Sequence, residues 1–558
     1  MEISVGKVFG IDLGTTYSCI AAMDKWGRPV VYNNRDNQAT TPSVVRFTED
    51  NEVVVGLQAK RSALVHPDEV ASVVKRKMGD PDWRFRAWGT DYAAPSISSQ
   101  VLKSLARDVA EQDQSGATVT EVVITVPAYT GHEFREATKF AGELAGLKVI
   151  DIINEPTAAA FAYGFLQEGN TAQTVLVYDL GGGTFDVTVI RLAEKKIQVV
   201  ATDGDPKLGG VDWDEAIAAF LADRFAEIHP DARRPSDSAV GSQHLMNLAE
   251  EVKQSLSQRS SYLAVVQHDG VQAEITMTRD ELEELTAGLL HRTIDLTRRV
   301  LEKAATKGVT AVDQILLVGG MSKSPAVKQR IQAEFGIDTR LTDPDLAVAK
   351  GAAIFGQKRE LESYVLESLR SRGALTEDEQ LEDADPATLA EVLRVTADER
   401  AMGREEVGDL VATQISNVTS RGFGVQVLDR KSGEHRVEFL AHAQDELPIS
   451  VEQQFYTSAD NQTAVLIKVF EQNSGDESQG LDANTAIISG EITGVPHGWP
   501  KDTPVDVRLD MGTDQVITVT ARHRAVNEPL VLTIKVGAAS AAMREVERAK
   551  VDELKQRE

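Results

Sequence analysis

The chain has a single cysteine, no long apolar run and too few basic residues to balance its acids, and each lack excludes a class of protein. With Cys19 alone, no intrachain disulfide can form, so the 558 residues must be held by burial and hydrogen bonding. Cys19 itself lies in an apolar stretch and reads as a small core hydrophobe. No segment approaches the roughly 20 apolar residues that span a bilayer. The start, Met1 to Lys7, lacks a basic segment followed by an apolar core and is not read as a signal peptide. Together these lacks give a cytoplasmic protein as the expectation. Lys and Arg number 59 against 86 Asp and Glu, a formal charge of −27, which argues against a general nucleic-acid binder because like charges repel. Hydrophobic residues, at 42%, are ordinary for a globular chain, and the length suffices for several domains.

What is present is organised around Val175-Leu-Val-Tyr-Asp179-Leu-Gly181-Gly182-Gly183-Thr184-Phe-Asp186-Val-Thr-Val-Ile190. An apolar run, a glycine turn and a second alternating run read as strand, turn, strand. Glycines let backbone N–H groups approach an anion closely, and Asp179 and Asp186 bracket the turn with hard oxygens suited to Mg²⁺ and its waters. The stretch Val8-Phe-Gly-Ile-Asp12-Leu-Gly14-Thr15-Thr16-Tyr17-Ser-Cys19-Ile20 repeats the plan. The separation is too long for a solenoid repeat and fits two similar half-domains facing one another across a nucleotide and its metal.

Here the chain resembles the seventy-kilodalton heat-shock chaperone family, the DnaK-like proteins. The motifs that carry the resemblance run in order from residue 8 to residue 355. They include Lys75-Arg-Lys, Val126-Pro127-Ala-Tyr, Asn154-Glu155-Pro-Thr, Leu208-Gly-Gly-Val-Asp212, Gly319-Gly320 and Asp343-Pro-Asp345. The resemblance implies an α/β ATPase domain of the actin-like fold, two duplicated lobes, over 1–360. It further implies a connector over 361–417, an antiparallel β-sandwich that binds peptide over 418–537, and a short helix over 538–558 where the family has a helical lid. Period-two runs such as Val465, Ile467 and Val469 support the sandwich from the residues themselves, with turn signals such as Gly512-Thr-Asp514 between them. The connector, rich in Asp and Glu, reads as a solvated helical or partly disordered linker. Its candidates for a docking run are Asp409–Ala412 and Gln414–Asn417, neither strongly apolar.

By resemblance, Lys75, Glu155, Asp179 and Thr184 serve hydrolysis of ATP to ADP. Gly14, Thr15, Thr16, Tyr17 and Gly181 to Gly183 cradle phosphates, and Glu250, Lys253, Gln254, Ser257, Gly319, Gly320 and Asp345 hold the nucleoside. Asp12, Asp179 and Asp186 hold Mg²⁺ mostly through water, with K⁺ near them and Tyr17. Val425, Leu428, Phe455, Ser458, Val465 and Ile467 line the peptide groove, although the residues alone equally allow sandwich core at Val425 and Ile467. Three departures stand out. Gln254 replaces an arginine that stacks on the base, and a glutamine lacks that cation–π contact. Met321-Ser-Lys323 replaces Ser-Thr-Arg. Asp151 replaces a basic residue that meets an aspartate of the J-domain, which points to a dedicated co-chaperone in place of the general one, or to none; a nucleotide exchange factor is a further implied partner. Unfolded or partly folded proteins are the implied clients. The competing reading is a nucleotide-gated scaffold for one folded partner with little turnover. Locally, Thr130-Gly-His-Glu133 reads as a capping box for a helix from Phe134 to Leu147, and Ser324-Pro325 as a helix start.

Overall fold

The two glycine-turn hairpins sit at the centres of two sheets with the same strand order. In the first, the parallel strands Lys148–Asn154, Glu121–Val126 and Val8–Asp12 lead into the antiparallel Tyr17–Met23 and Pro29–Tyr32. In the second, Thr339–Leu341, Gln314–Val318 and Gln173–Leu180 lead in the same way into Phe185–Ala193 and Lys196–Asp205. The strand centres are apolar and buried on both faces, as near-continuous Val, Ile and Leu runs require. This computed structural model describes all residues except 1–6, 113–117, 166–171, 194, 342, 474–476, 513–515, 535–540 and 558. Part of the expected turn at Gly512–Asp514, and residues 538–540 of the expected last helix, lie outside the described residues.

Two helices cross where the lobes meet. Glu155–Phe165 is rich in alanine, and Ala347–Ser371 carries Gly351 against it. A Cβ at Gly351 would stand 1.8 Å from the Ala158 carbonyl oxygen, so only glycine admits this approach. Cys19 is buried against Ala21, Ala349 and Ala353.

The segment expected to be a solvated linker is packed. Helix Ala347–Ser371 runs through position 360 without a break, and Pro386–Arg400 and Arg404–Ala412 fold back on it. Ala397, Val407 and Leu410 join one cluster with Val8, Val123 and Ile153 of the first lobe and Val175 and Val199 of the second. Charge patterning hid this, because only one stripe of each helix is apolar and the remainder is acidic surface. Gln414–Ser416 then pairs in parallel with 196–198 and becomes the sixth strand of the second sheet. Of the two candidate docking runs, this is the strand; Asp409–Ala412 ends the preceding helix.

Beyond it lie two stacked four-stranded antiparallel sheets. One orders His435–Ala441, Phe423–Leu428, Val465–Gln472 and Asn484–Ile492. The other orders Ile449–Tyr456, Pro504–Met511, Ile517–His523 and Leu530–Ile534. Their inner faces enclose a core of Val, Leu, Ile and Phe. The final helix, Ala541–Glu553, returns to the first lobe. Its Arg544 pairs with Glu136 and Glu143, its buried Glu547 accepts from Ser96, and Lys555–Gln556 adds a parallel strand beside Glu52–Val55. Among the described residues, no helix is long and apolar enough to cross a membrane.

Candidate functional site

A cleft of about 700 Å³ separates the lobes, within the range of small-molecule sites. Its floor is formed by the two turns, set face to face. Thr15 and Thr16 fill the space that side chains at Gly183 and Gly182 would need: a Cβ at Gly182 would lie 2.0 Å from Thr16 Oγ1, and one at Gly183 would lie 2.3 Å from Thr15 Cγ2. The glycines of the second turn therefore answer to the threonines of the first.

Each turn is braced from behind. In the first, Gly14 N–H donates to Ser18 Oγ at 3.1 Å and Ser43 Oγ donates to the Gly14 carbonyl at 2.8 Å. In the second, the carbonyls are taken up by the start of helix Gly210–Ile228. Gly210 N–H donates to Gly181 at 3.0 Å and Val211 N–H to Gly182 at 2.8 Å. Arg76 reaches over from the first lobe, donating to the Gly183 carbonyl at 2.7 Å while its fork grips Asp212. Asp212 also caps this helix by accepting from Gly209 N–H at 2.7 Å.

Lys75 and Glu155 form a buried ion pair at the deep end of the cleft. Lys75 sits in the short turn Val74–Lys77, preceded by Val73 at φ 57°, a left-handed conformation that strains a β-branched residue. Burial lowers the pKa of the Lys75 ammonium, but Glu155, Asp12 and Asp186 together hold it above the ordinary value. Asp12 is pushed up to about 7, by burial first and then by Glu155, against the pull of Lys75 and a Thr125 hydroxyl donating at 3.2 Å. Burial and the Glu155 charge also drive Asp179 and Asp186 well above the carboxylate range. Asp179 and Asp186 face each other across the hairpin ladder. Asp186 Oδ1 accepts from Ala128 N–H at 2.9 Å, and its Oδ2 is buried with no hydrogen-bond partner among the described residues. So many acids around one lysine form a site short of positive charge, which fits a divalent cation. Among the described residues, no three acidic, histidine or cysteine side chains stand close enough to ligate an ion directly. Asp12, Asp179 and Asp186 would therefore hold it through its waters.

Of the residues expected at a nucleotide, Asp12, Gly14 to Tyr17, Lys75, Glu155, Asp179, Gly181, Gly182, Thr184, Glu250, Lys253, Gln254, Ser257, Gly319, Gly320 and Asp345 all border the cleft. Gly183 and Asp186 are not among the residues that border it. Helix Ala239–Leu256, capped by Ser238, carries the far rim. On it, Lys253 bonds Asp214 at 2.7 Å and the Gly210 carbonyl at 2.8 Å, and Gln254 donates to Glu250 at 3.2 Å. Gly319, at φ 82°, could not carry a Cβ, which would lie 2.4 Å from the Leu180 carbonyl oxygen. Sequence reasoning missed Lys60. Its ammonium pairs with Glu250 and donates to Tyr17 OH at 3.0 Å, while Tyr17 OH donates to Glu250 at 2.9 Å, so the three bridge the cleft mouth. Lys60 lies in no motif, and only the fold brings it there. Lys323 pairs with Asp345 at the other rim.

In the sandwich, Val425, Phe455, Val465 and Ile467 share one apolar cluster, with Val425 and Ile467 fully in the core. Leu428 and Ser458 are exposed and outside it. Asp151 is not a free surface acid: it is half-buried, bonded to Arg359 at 2.9 Å, and burial raises its pKa against the pull of Arg359. The expected capping box at Thr130 is absent. Helix His132–Leu144 has Gly131 at its cap, and Thr130 Oγ1 donates instead to the Pro127 carbonyl at 2.6 Å. Ser324 does precede a helix with proline at its first position, but its side chain makes no cap bond.

Two α/β lobes of matching strand order enclose a cleft of glycine turns and carboxylates, an arrangement suited to an anionic, nucleotide-like ligand. Residues 8–360, well over half the chain, match the family model described as Hsp70 protein, and the chain belongs to that family. Membership carries a chaperone-type, ATP-binding function in general, with Mg²⁺ as the usual companion of the nucleotide.

Proposed function

We propose that the chain hydrolyses ATP in the interlobe cleft and uses the nucleotide state to change the affinity of its sandwich for extended apolar peptide segments. The supporting observation is a shared turn. Pro127–Thr130 gives Ala128 N–H to Asp186 at the cleft floor, and its Thr130 carbonyl accepts from Ser420 Oγ of the sandwich at 3.2 Å. A change around Asp186 would reach the sandwich through this turn.

In this reading Lys75, held charged beside Glu155, positions the attacking water and steadies the transferred phosphoryl group, where preorganised charge lowers a barrier most. Glu155 would orient a water of the Mg²⁺ shell, Thr184 flanks the γ-phosphate, and the N–H groups of both turns hold the phosphates. Magnesium, when bound, neutralises phosphate charge, and K⁺ would share the carboxylate-rich floor. Glu250 and Lys253 face the ribose, Ser257 caps the base ring, and Gln254 stands where the family has an arginine stacked on the base. An extended peptide would lie against the sandwich near Leu428, Phe455, Ser458 and Val465, held by backbone hydrogen bonds with one apolar side chain in a pocket.

The test is Lys75→Ala. Single-turnover hydrolysis should fall about 10²-fold or more, the scale of one lost electrostatic contact, while ATP still binds. Normal turnover would refute the assignment. The same variant used as a trap separates the two readings of function: many unfolded clients mark a chaperone, and one stoichiometric folded partner marks a scaffold.

A further inference from the structure

A nucleotide whose phosphates lie on the two glycine turns extends toward helix Ala239–Leu256, so the side chains on that rim meet its base. Selecting one base takes groups of fixed sign at its edge, which reject a mismatched partner because they are left unpaired. Among the described residues that border the cleft there is no arginine, and the one aromatic ring is that of Tyr17, its hydroxyl engaged by Lys60 and Glu250. The lysines are engaged as well: Lys60 with Glu250, Lys75 with Glu155, Lys253 with Asp214 and Lys323 with Asp345. The remaining polar side chains at this end are carboxamides. Gln243, Asn247 and Gln254 share one face of the helix, Gln258 follows just past its end, and all four border the cleft.

A carboxamide carries a donor and an acceptor on opposite arms of one flat group, and a half-turn exchanges them. Gln243 Nε2 donates to Asn247 Oδ1 at 2.9 Å, and turning both amides over reverses the roles and keeps the bond. This pair therefore offers a ligand a donor or an acceptor with equal ease. Gln254 and Gln258 are exposed, so water replaces whatever bond a turn of either amide gives up. Met246 and Met321 add polarisable thioethers, which adapt to apolar faces of differing shape. Adenine presents an amino donor where guanine presents a carbonyl acceptor, and this rim can answer either.

We propose that the cleft does not select adenine over guanine and that the chain hydrolyses GTP alongside ATP. This rests on the ATPase reading above and widens its substrate to purine nucleoside triphosphates. In each GTP turnover the water oxygen bonds to the γ-phosphorus. The bond from that phosphorus to the bridging oxygen breaks with its electron pair on GDP, and a water proton passes to solvent. Lys75 and Glu155 lie at the phosphate end, so they meet the same groups whichever base is bound.

The test titrates the full chain calorimetrically with ADP and with GDP in the presence of Mg²⁺, and follows phosphate release from ATP and from GTP. The two dissociation constants should agree within about tenfold, against the roughly 10⁴- to 10⁵-fold of a site built for one hydrogen-bonding group. Phosphate should be released from both triphosphates. Asn247→Leu and Gln258→Leu, each removing one amide, should weaken ADP and GDP alike by up to roughly fivefold, the scale of one hydrogen bond. A preference for either purine above about tenfold would overturn the open base site and leave the ATPase reading standing. So would a loss, in either variant, confined to one purine. GDP binding without release of phosphate from GTP, while ATP is turned over, would overturn the second activity. Binding of both diphosphates with no turnover of either triphosphate would uphold the open base site and contradict hydrolysis. Binding of neither would overturn both readings.

Discussion

The two lobes share a strand order but support their ligand turns differently. The first turn is braced by hydroxyls of its own lobe, Ser18 and Ser43, and presents two threonines. The second is braced by a helix N-terminus and by Arg76 from the opposite lobe, and presents glycines into which those threonines fit. The first turn is thus braced within its lobe, whereas the second takes part of its bracing from the opposite lobe. A duplicated fold has become asymmetric in what holds its two turns. The edges differ too. The first lobe gains the strand Lys555–Gln556 from the end of the chain, and the second gains Gln414–Ser416 just before the sandwich, so the sandwich is anchored on one lobe at each of its ends.

The largest effect should come from the cluster in which both lobes meet the helices after residue 360. Leu410→Ala removes a fully packed side chain and should cost about 2–5 kcal/mol, read as a lower denaturation midpoint. A solvated linker would instead tolerate the change within about 0.5 kcal/mol, and that result would return this segment to the status of a tether.

Next, Gly182→Val sets a branched side chain against Thr16. Overpacking of this kind costs about 1–3 kcal/mol, which should appear as a loss of ATP affinity of roughly 10- to 100-fold by calorimetric titration. Thr16→Ala should rescue part of it, because the collision is with that side chain. Wild-type affinity in Gly182→Val would mean that the turns do not face one another as described.

The smallest effect concerns pH in the absence of nucleotide and magnesium. Because Asp12 rises to about 7 on folding, and Asp179 and Asp186 move the same way, the folded state holds protons that the unfolded chain releases. Their contribution to stability is full below the ordinary carboxylate range and is lost as pH rises toward and through 7. The melting temperature should therefore fall between pH 5 and pH 8, and Asp12→Asn should remove part of that dependence. A stability that rose over this range, or a slope untouched by Asp12→Asn, would contradict the shortage of positive charge at the floor.

Much of this was legible in the sequence, and the reasons for the remainder are physical. Asp12 and Asp179 could be read because a strand, an acid and a glycine turn are local in sequence. Cys19 could be read as core because it lies in an apolar stretch. Lys60, Arg76 and Glu471 act across the cleft or across domains, and their partners are up to hundreds of residues away, where no periodicity can point. The capping box at Thr130 failed for the same reason: its pattern was complete locally, but the His132 N–H is taken by Glu471 of the sandwich. The connector misled because its acidic surface outweighs the narrow stripe of Ala397, Val407 and Leu410 that it buries.

In the proposed coupling, the cleft governs the sandwich through the turn that joins Asp186 to Ser420. Stopped-flow release of a labelled, extended apolar peptide from the full chain measures this, with ADP, with ATP, and with ATP on Lys75→Ala. Release should be slow with ADP and faster on adding ATP, and Lys75→Ala should remain in the fast state because hydrolysis no longer resets it. The same release rate with ADP and ATP would refute the coupling.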